Sequence, residues 1–152
     1  MVNNLLKGAK LTVILPAQNN TTGAADTTGL GYVDMAGYDN VAFIGIPTEV
    51  IAGAVMGISC YTGDTVAALA SSTVLWGGST ITTTDMEIQC WGLDIVKPSR
   101  RYLSAMWDKA TQASGGSILA IQYNPTKLPA AQDATTTYKY GAFGITVIAG
   151  AT

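Results

Sequence analysis

The stretch Lys97-Pro98-Ser99-Arg100-Arg101-Tyr102-Leu103 holds the only adjacent pair of arginines in the chain. A guanidinium grips a carboxylate or a phosphate through two parallel hydrogen bonds, so this cluster could serve a nucleic acid, a free phosphate or a protein partner. The whole chain counts 8 Lys and Arg against 10 Asp and Glu, a net charge of −2. It therefore lacks the broad basic field that nucleic-acid binding needs. The expected partner of Arg100 and Arg101, with Lys97 beside them, is a carboxylate of another protein subunit. The plainer alternative is that the pair guards a sheet edge against aggregation.

Other chemistry is thinner. No histidine is present, which removes the usual general base near neutral pH and excludes Ser-His-Asp and Cys-His arrangements. Cys60 and Cys90 lack the close spacing of a zinc site and are expected to be buried thiols instead of a disulfide. Asp85 and Glu87 share a strand face, as a glycosidase pair would, but a solvated strand edge near a turn is the preferred reading. Asp34, Asp39 and Asp64 stand near Gly and Asn and read as turn residues. No phosphate-binding glycine motif occurs. Trp76, Trp91 and Trp107 could stack on a sugar, although such rings more often fill a β-core. No catalytic, cofactor-binding or metal-binding residue is expected, and the chain reads as a non-enzyme.

These residues must be positioned by strands. Short β-prone runs separated by Gly, Pro, Asn and Asp recur from Tyr32 onward, the pattern of a sandwich or barrel. Val41 to Ile46 forms one run, ended by Pro47. Ala54 to Tyr61 forms another, with Ala54, Met56, Ile58 and Cys60 on one face. A parity shift past Trp91-Gly92 predicts a β-bulge there. Leu103, Ala105 and Trp107 alternate with Tyr102, Ser104 and Met106. Ile118, Ala120 and Gln122 alternate with Leu119, Ile121 and Tyr123, and Ser114-Gly115-Gly116-Ser117 reads as the turn joining these two runs into a hairpin. A strand apolar on both faces is expected to be buried on both. The run from Thr65 to Ser72 reads as a loop, with a short helical turn as the alternative, and Ile145 to Gly150 as a final strand. The expected fold is an all-β antiparallel sandwich of jelly-roll type, with a Greek-key barrel as the alternative.

Residues 1–30 read as an extended arm and residues 31–152 as a single sandwich domain. Within the arm, Leu11, Val13 and Leu15 form a short β-prone run ended by Pro16, followed by a polar, small-residue stretch. These three are candidate interface residues together with Lys97, Arg100 and Arg101. Apolar residues make up 48% of the chain and charged residues 12%, about half the usual charged share. No run of about 18 apolar residues suits a membrane span, and the N-terminus lacks the apolar core of a signal peptide. A low-charge surface that meets neither membrane nor nucleic acid is expected to meet protein.

Three passages together resemble small structural proteins encoded in the head-gene region of tailed bacteriophages. They are Tyr38-Asp39-Asn40-Val41, the passage from Asp94-Ile95-Val96-Lys97-Pro98 to Arg100-Arg101-Tyr102-Leu103, and Ala120-Ile121-Gln122-Tyr123-Asn124-Pro125 with Lys127-Leu128-Pro129. The resemblance covers roughly residues 32 to 130 and leaves out the arm. It implies a virion component made in the host cytoplasm: a capsid cement or decoration protein on the outside of the shell, contacting the major capsid protein and itself, as a homotrimer. A glycan-binding virion surface module and a head-tail connector or tail component are the alternatives.

Overall fold

The computed structural model describes residues 8–16, 31–50, 55–71, 74–76, 81–82, 90–110, 114–127, 138–142 and 145–149. The chain is all-β, as its short alternating runs predict. Its strands are β1 (Ala9–Leu15), β2 (Val33–Asp34), β3 (Tyr38–Val50), β4 (Val55–Gly63), β5 (Val74–Trp76), β6 (Ile81–Thr82), β7 (Trp91–Val96), β8 (Tyr102–Ala110), β9 (Ser114–Pro125), β10 (Tyr138–Ala142) and β11 (Ile145–Ala149). One sheet has the order β1-β9-β3-β7; the second has β2-β8-β4-β5, with β6 also on β4; β10 and β11 pair with each other. Every pairing is antiparallel.

The pairings nest. β1 pairs β9, β2 pairs β8, β3 pairs β7, and β4 pairs β5 and β6. The expected β8–β9 hairpin is therefore corrected: the two strands lie in opposite sheets. Gly115 and Gly116 are not its turn but residues of β9, opposite Glu49 and Pro47. Pro47 does not end β3, which runs on to Val50 against β9. The expected bulge at Trp91-Gly92 is also absent, since β7 pairs β3 without a register shift from Trp91 to Val96.

Residues 9–15 of the expected arm are a sheet strand, with Ala9 and Ile14 buried. A boundary at residue 30 thus cuts through the fold, and residues 1–7 and 17–30 lie outside the described residues. The expected loop after β4 is a 3₁₀ turn, Val66–Ser71. Thr65 caps it: both its carbonyl and its Oγ1 accept the Ala68 N–H, at 3.1 and 3.2 Å.

Both sheets feed one core. Ile14, Val41, Phe43, Trp91, Ile95, Ile118 and Ala120 enter it from the first, and Val33, Ile58, Cys60, Leu103, Ala105 and Trp107 from the second. At one end Trp91 and Trp107 meet edge to face, with centroids 5.3 Å apart and planes at 88°. Trp107 also presses on strand backbone. A Cβ on Gly45 would lie 2.6 Å from its ring and one on Gly116 3.0 Å, so only glycine leaves room for the indole. At the other end the fully buried Gln122 donates from Nε2 to the Asp34 carbonyl at 2.7 Å, tying β9 to the end of β2.

Candidate interaction surfaces

The cation cluster occupies the loop between β7 and β8, where the chain crosses from one sheet to the other. Arg101 is held firmly. Its Nε and Nη2 donate to Asp34 Oδ1 and Oδ2 at 2.9 and 2.7 Å, its guanidinium lies 5.1 Å from the Tyr102 ring centre, and its carbonyl accepts the Met35 N–H at 2.8 Å. Asp34 Oδ1 also accepts the Ala36 N–H. The Arg101 hydrogen bonds hold the Asp34 carboxyl below its ordinary range, against the opposing pull of burial, with help from the Ala36 N–H and the charges of Arg101 and Lys10. Arg100 pairs with Asp64, just past β4, with both side chains more than half exposed. Each arginine thus finds a carboxylate inside its own chain, where the sequence suggested another subunit.

Lys97 is held in an unfavourable conformation. Its φ is 50°, and it precedes Pro98. The left-handed region is unfavourable for a residue with a Cβ, and a following proline restricts it further, toward extended backbone. The conformation is held by the Lys97 N–H, which donates to the Asp39 carbonyl at 2.9 Å and to Asn40 Oδ1 at 3.3 Å. An open cavity of about 500 Å³ lies between this loop and the turn joining β2 to β3; Tyr38, Asp39, Lys97, Ser99, Arg100 and Arg101 line it together with Met35, Ala36 and Pro98.

Leu11 and Val13 belong to a different surface. Cross-strand register places Leu11, Ile121, Ala42 and Asp94 in one row across the first sheet, and Val13, Leu119, Ile44 and Gly92 in the next. These rows face away from the core, since the alternate residues Val41, Phe43, Ile95, Ile118 and Ala120 fill it. Val13, Ile46 and Val96 are 61%, 48% and 62% exposed. The charge in these rows, on Asp94, accepts the Tyr123 hydroxyl at 2.7 Å, which raises the Tyr123 pKa. Leu15 does not join the other two: a bulge between Val13 and Leu15 turns it to pack against the core.

The second sheet is its opposite. Ser59, Ser104 and Met106 alternate with the core residues Ile58, Leu103, Ala105 and Trp107, yet all three are buried. The chain covers this face itself, with the 3₁₀ turn lying against β4 and β8. Burial on both faces, expected for β8 and β9 alike, is found for β8 and not for β9. The sequence reading missed Ile44, Ile46, Leu119, Ile121 and Val96 as surface residues. The signal was present in the two-sided apolar alternation of β9, which fits one open face as well as two closed ones.

Trp91 and Trp107 are buried, so neither is a stacking platform for a sugar; the Trp76 side chain, Asp85 and Glu87 lie outside the described residues. Cys60 and Cys90 are both free. Burial pushes the Cys60 thiol up to about 12, while Cys90 is exposed, contrary to the expectation that both are buried. No protein-family model matches the chain, and no curated protein matches it.

Proposed function

We propose that this chain is a virion structural protein, a cement or decoration subunit that binds the outside of a tailed-phage head between capsomers and stabilises it. The observation that carries the reading is the open aliphatic outer face of the β1-β9-β3-β7 sheet. An antiparallel sheet facing water on one side shows polar residues there; this one shows Leu11, Val13, Leu119, Ile121 and Ile44 in rows across β1, β9 and β3 that end at Gly92 and Asp94 on β7. Contiguous exposed apolar surface on a globular chain marks a contact with another molecule, and the scarcity of charge in the sequence fits a protein partner.

The finer fold reading is a jelly roll. The nested pairs β1/β9, β2/β8, β3/β7 and β4/β5 are what a long hairpin gives when wound around a barrel, and this architecture recurs in viral shells. The resemblance of residues 32 to 130 to phage head-region proteins supports the same assignment. The partners are the major capsid protein and further copies of this chain in a homotrimer, without nucleic acid, membrane or cofactor. The chain acts by binding and not by catalysis, and repetition over many sites makes modest contacts effective.

Cryo-EM of the particle that contains this chain, with densitometry of its proteins, tests the proposal. Hundreds of copies on the outer shell are expected, with the β1-β9-β3-β7 face against protein. A few copies at one vertex would transfer the chain to a connector or tail role, and absence from any particle would end the virion reading. Val13→Thr together with Ile46→Thr should lower occupancy while leaving the fold intact.

A further inference from the structure

The cavity between the β2–β3 turn and the 97–101 loop is not used by the aliphatic face, and its walls are unequal. Arg101 is a fixed wall, committed to Asp34 and Tyr102. Arg100 is loosely held: its carboxylate partner Asp64 is as exposed as it is, and such pairs contribute little. Lys97 has no carboxylate partner among the described residues, and its backbone is held in a strained conformation beside the cavity. Strain of this kind, where the surroundings enforce it, gathers at binding sites.

We infer that this cavity takes a carboxylate side chain from an acidic polypeptide segment of a partner, gripped by Lys97 and Arg100 against the wall that Arg101 forms. On entry the carboxylate displaces Asp64 from Arg100 and meets the Lys97 ammonium, while the Asp34–Arg101 pair stays closed. Asp34, Asp39 and Asp64 stand around the same three cations, so their fields largely cancel at a distance. A polyanion such as nucleic acid gains no long-range attraction here. A single carboxylate within hydrogen-bonding reach still gains the directional, charge-assisted contact.

The identity of the partner as a shell protein rests on the function proposed above; the cavity's preference does not. The first test titrates the full chain with an acetylated, amidated tetraglutamate peptide, followed by backbone amide NMR. Saturable shifts confined to residues 35–39 and 97–101 are expected, with at least a tenfold loss of affinity in Lys97→Met and Arg100→Gln. No saturable shift, equal shifts in both variants, or equal binding of inorganic phosphate at the same amides would overturn the inference. Both side chains are exposed, and an unchanged spectrum elsewhere certifies the fold of each variant. The second test measures attachment of the same variants to purified phage heads. Heads that bind wild type and both variants alike remove the cavity from the interface and leave the cement role standing. Peptide binding without head binding preserves the cavity and removes the shell as its partner.

Discussion

The two ends of the sandwich are built on opposite principles. At one end Trp107 meets Trp91 edge to face and lies against the backbone at Gly45 and Gly116, with no room for even a methyl group. At the other, Arg100, Arg101, Asp34 and Asp64 meet in pairs that water can reach. Close packing loses energy steeply when a shape changes, whereas exposed ion pairs are screened and contribute little. Stability therefore resides at the tryptophan end. The ionic end can exchange partners without endangering the fold, which is what a recognition surface requires.

The largest effect is expected from Trp107→Ala. It removes a 2%-exposed indole that both sheets enclose, and cavities of this kind cost about 3–5 kcal/mol. Urea unfolding should show a lower midpoint with an unchanged slope. A loss no larger than that of an exposed-residue variant would abolish the contrast between the ends.

Gly45→Ala should come next, at about 1–3 kcal/mol, the usual range for overpacking. Its Cβ would lie 2.6 Å from the Trp107 ring, which is locked in turn by Trp91. Gly116→Ala carries the same sign for a different reason, since its Cβ would lie 2.5 Å from the Ile46 carbonyl oxygen, and backbone cannot swing aside. A neutral result at both positions would mean that the wedge relaxes freely.

At the ionic end the expected signature is a pH dependence. Asp34 has a folded-state pKa below its ordinary value of 3.8, so its contribution is fully present above that value and is lost as pH falls through the lower folded value. Asp34→Asn should flatten the acid limb of the stability curve below about pH 4. At neutral pH it should cost roughly 1 kcal/mol or less, because the side chain is a third exposed and screened. An acid limb of unchanged steepness in this variant would assign the acid sensitivity to other carboxylates.

The same contrast explains how far the fold was legible in the sequence. Alternation sorted the residues of β8 and β9 into their two faces correctly, because the two-residue period of a strand is local, but with both faces apolar it did not tell which one meets the core. Their assignment to opposite sheets was not legible, since it depends on strands far apart in sequence, and Gly115-Gly116 looks the same whether it makes a turn or clears space for an indole. The parity of Leu11, Val13 and Leu15 failed at Leu15 for a related reason: a bulge is set by the partner strand. Arg100 and Arg101 stood out as the sole arginine pair, but nothing local marks Asp34 and Asp64, 67 and 36 residues away, as their partners.

The smallest expected effect has the opposite sign. Lys97 holds φ at 50° immediately before Pro98, a conformation that glycine adopts without the Cβ clash. Lys97→Gly should relieve about 1–2 kcal/mol of backbone strain, offset by the 0.5–1 kcal/mol or so that glycine's freedom in the unfolded chain adds. A net gain of up to about 1 kcal/mol is expected, together with weaker binding at the cavity. Lys97→Ala separates the two contributions: it removes the ammonium but keeps the Cβ, so it should weaken binding without the gain in stability. If glycine proves less stable than alanine by the full 0.5–1 kcal/mol or so of its unfolded-state freedom, the backbone at this position is unstrained, and the lysine loses the feature that sets it apart from an ordinary surface cation.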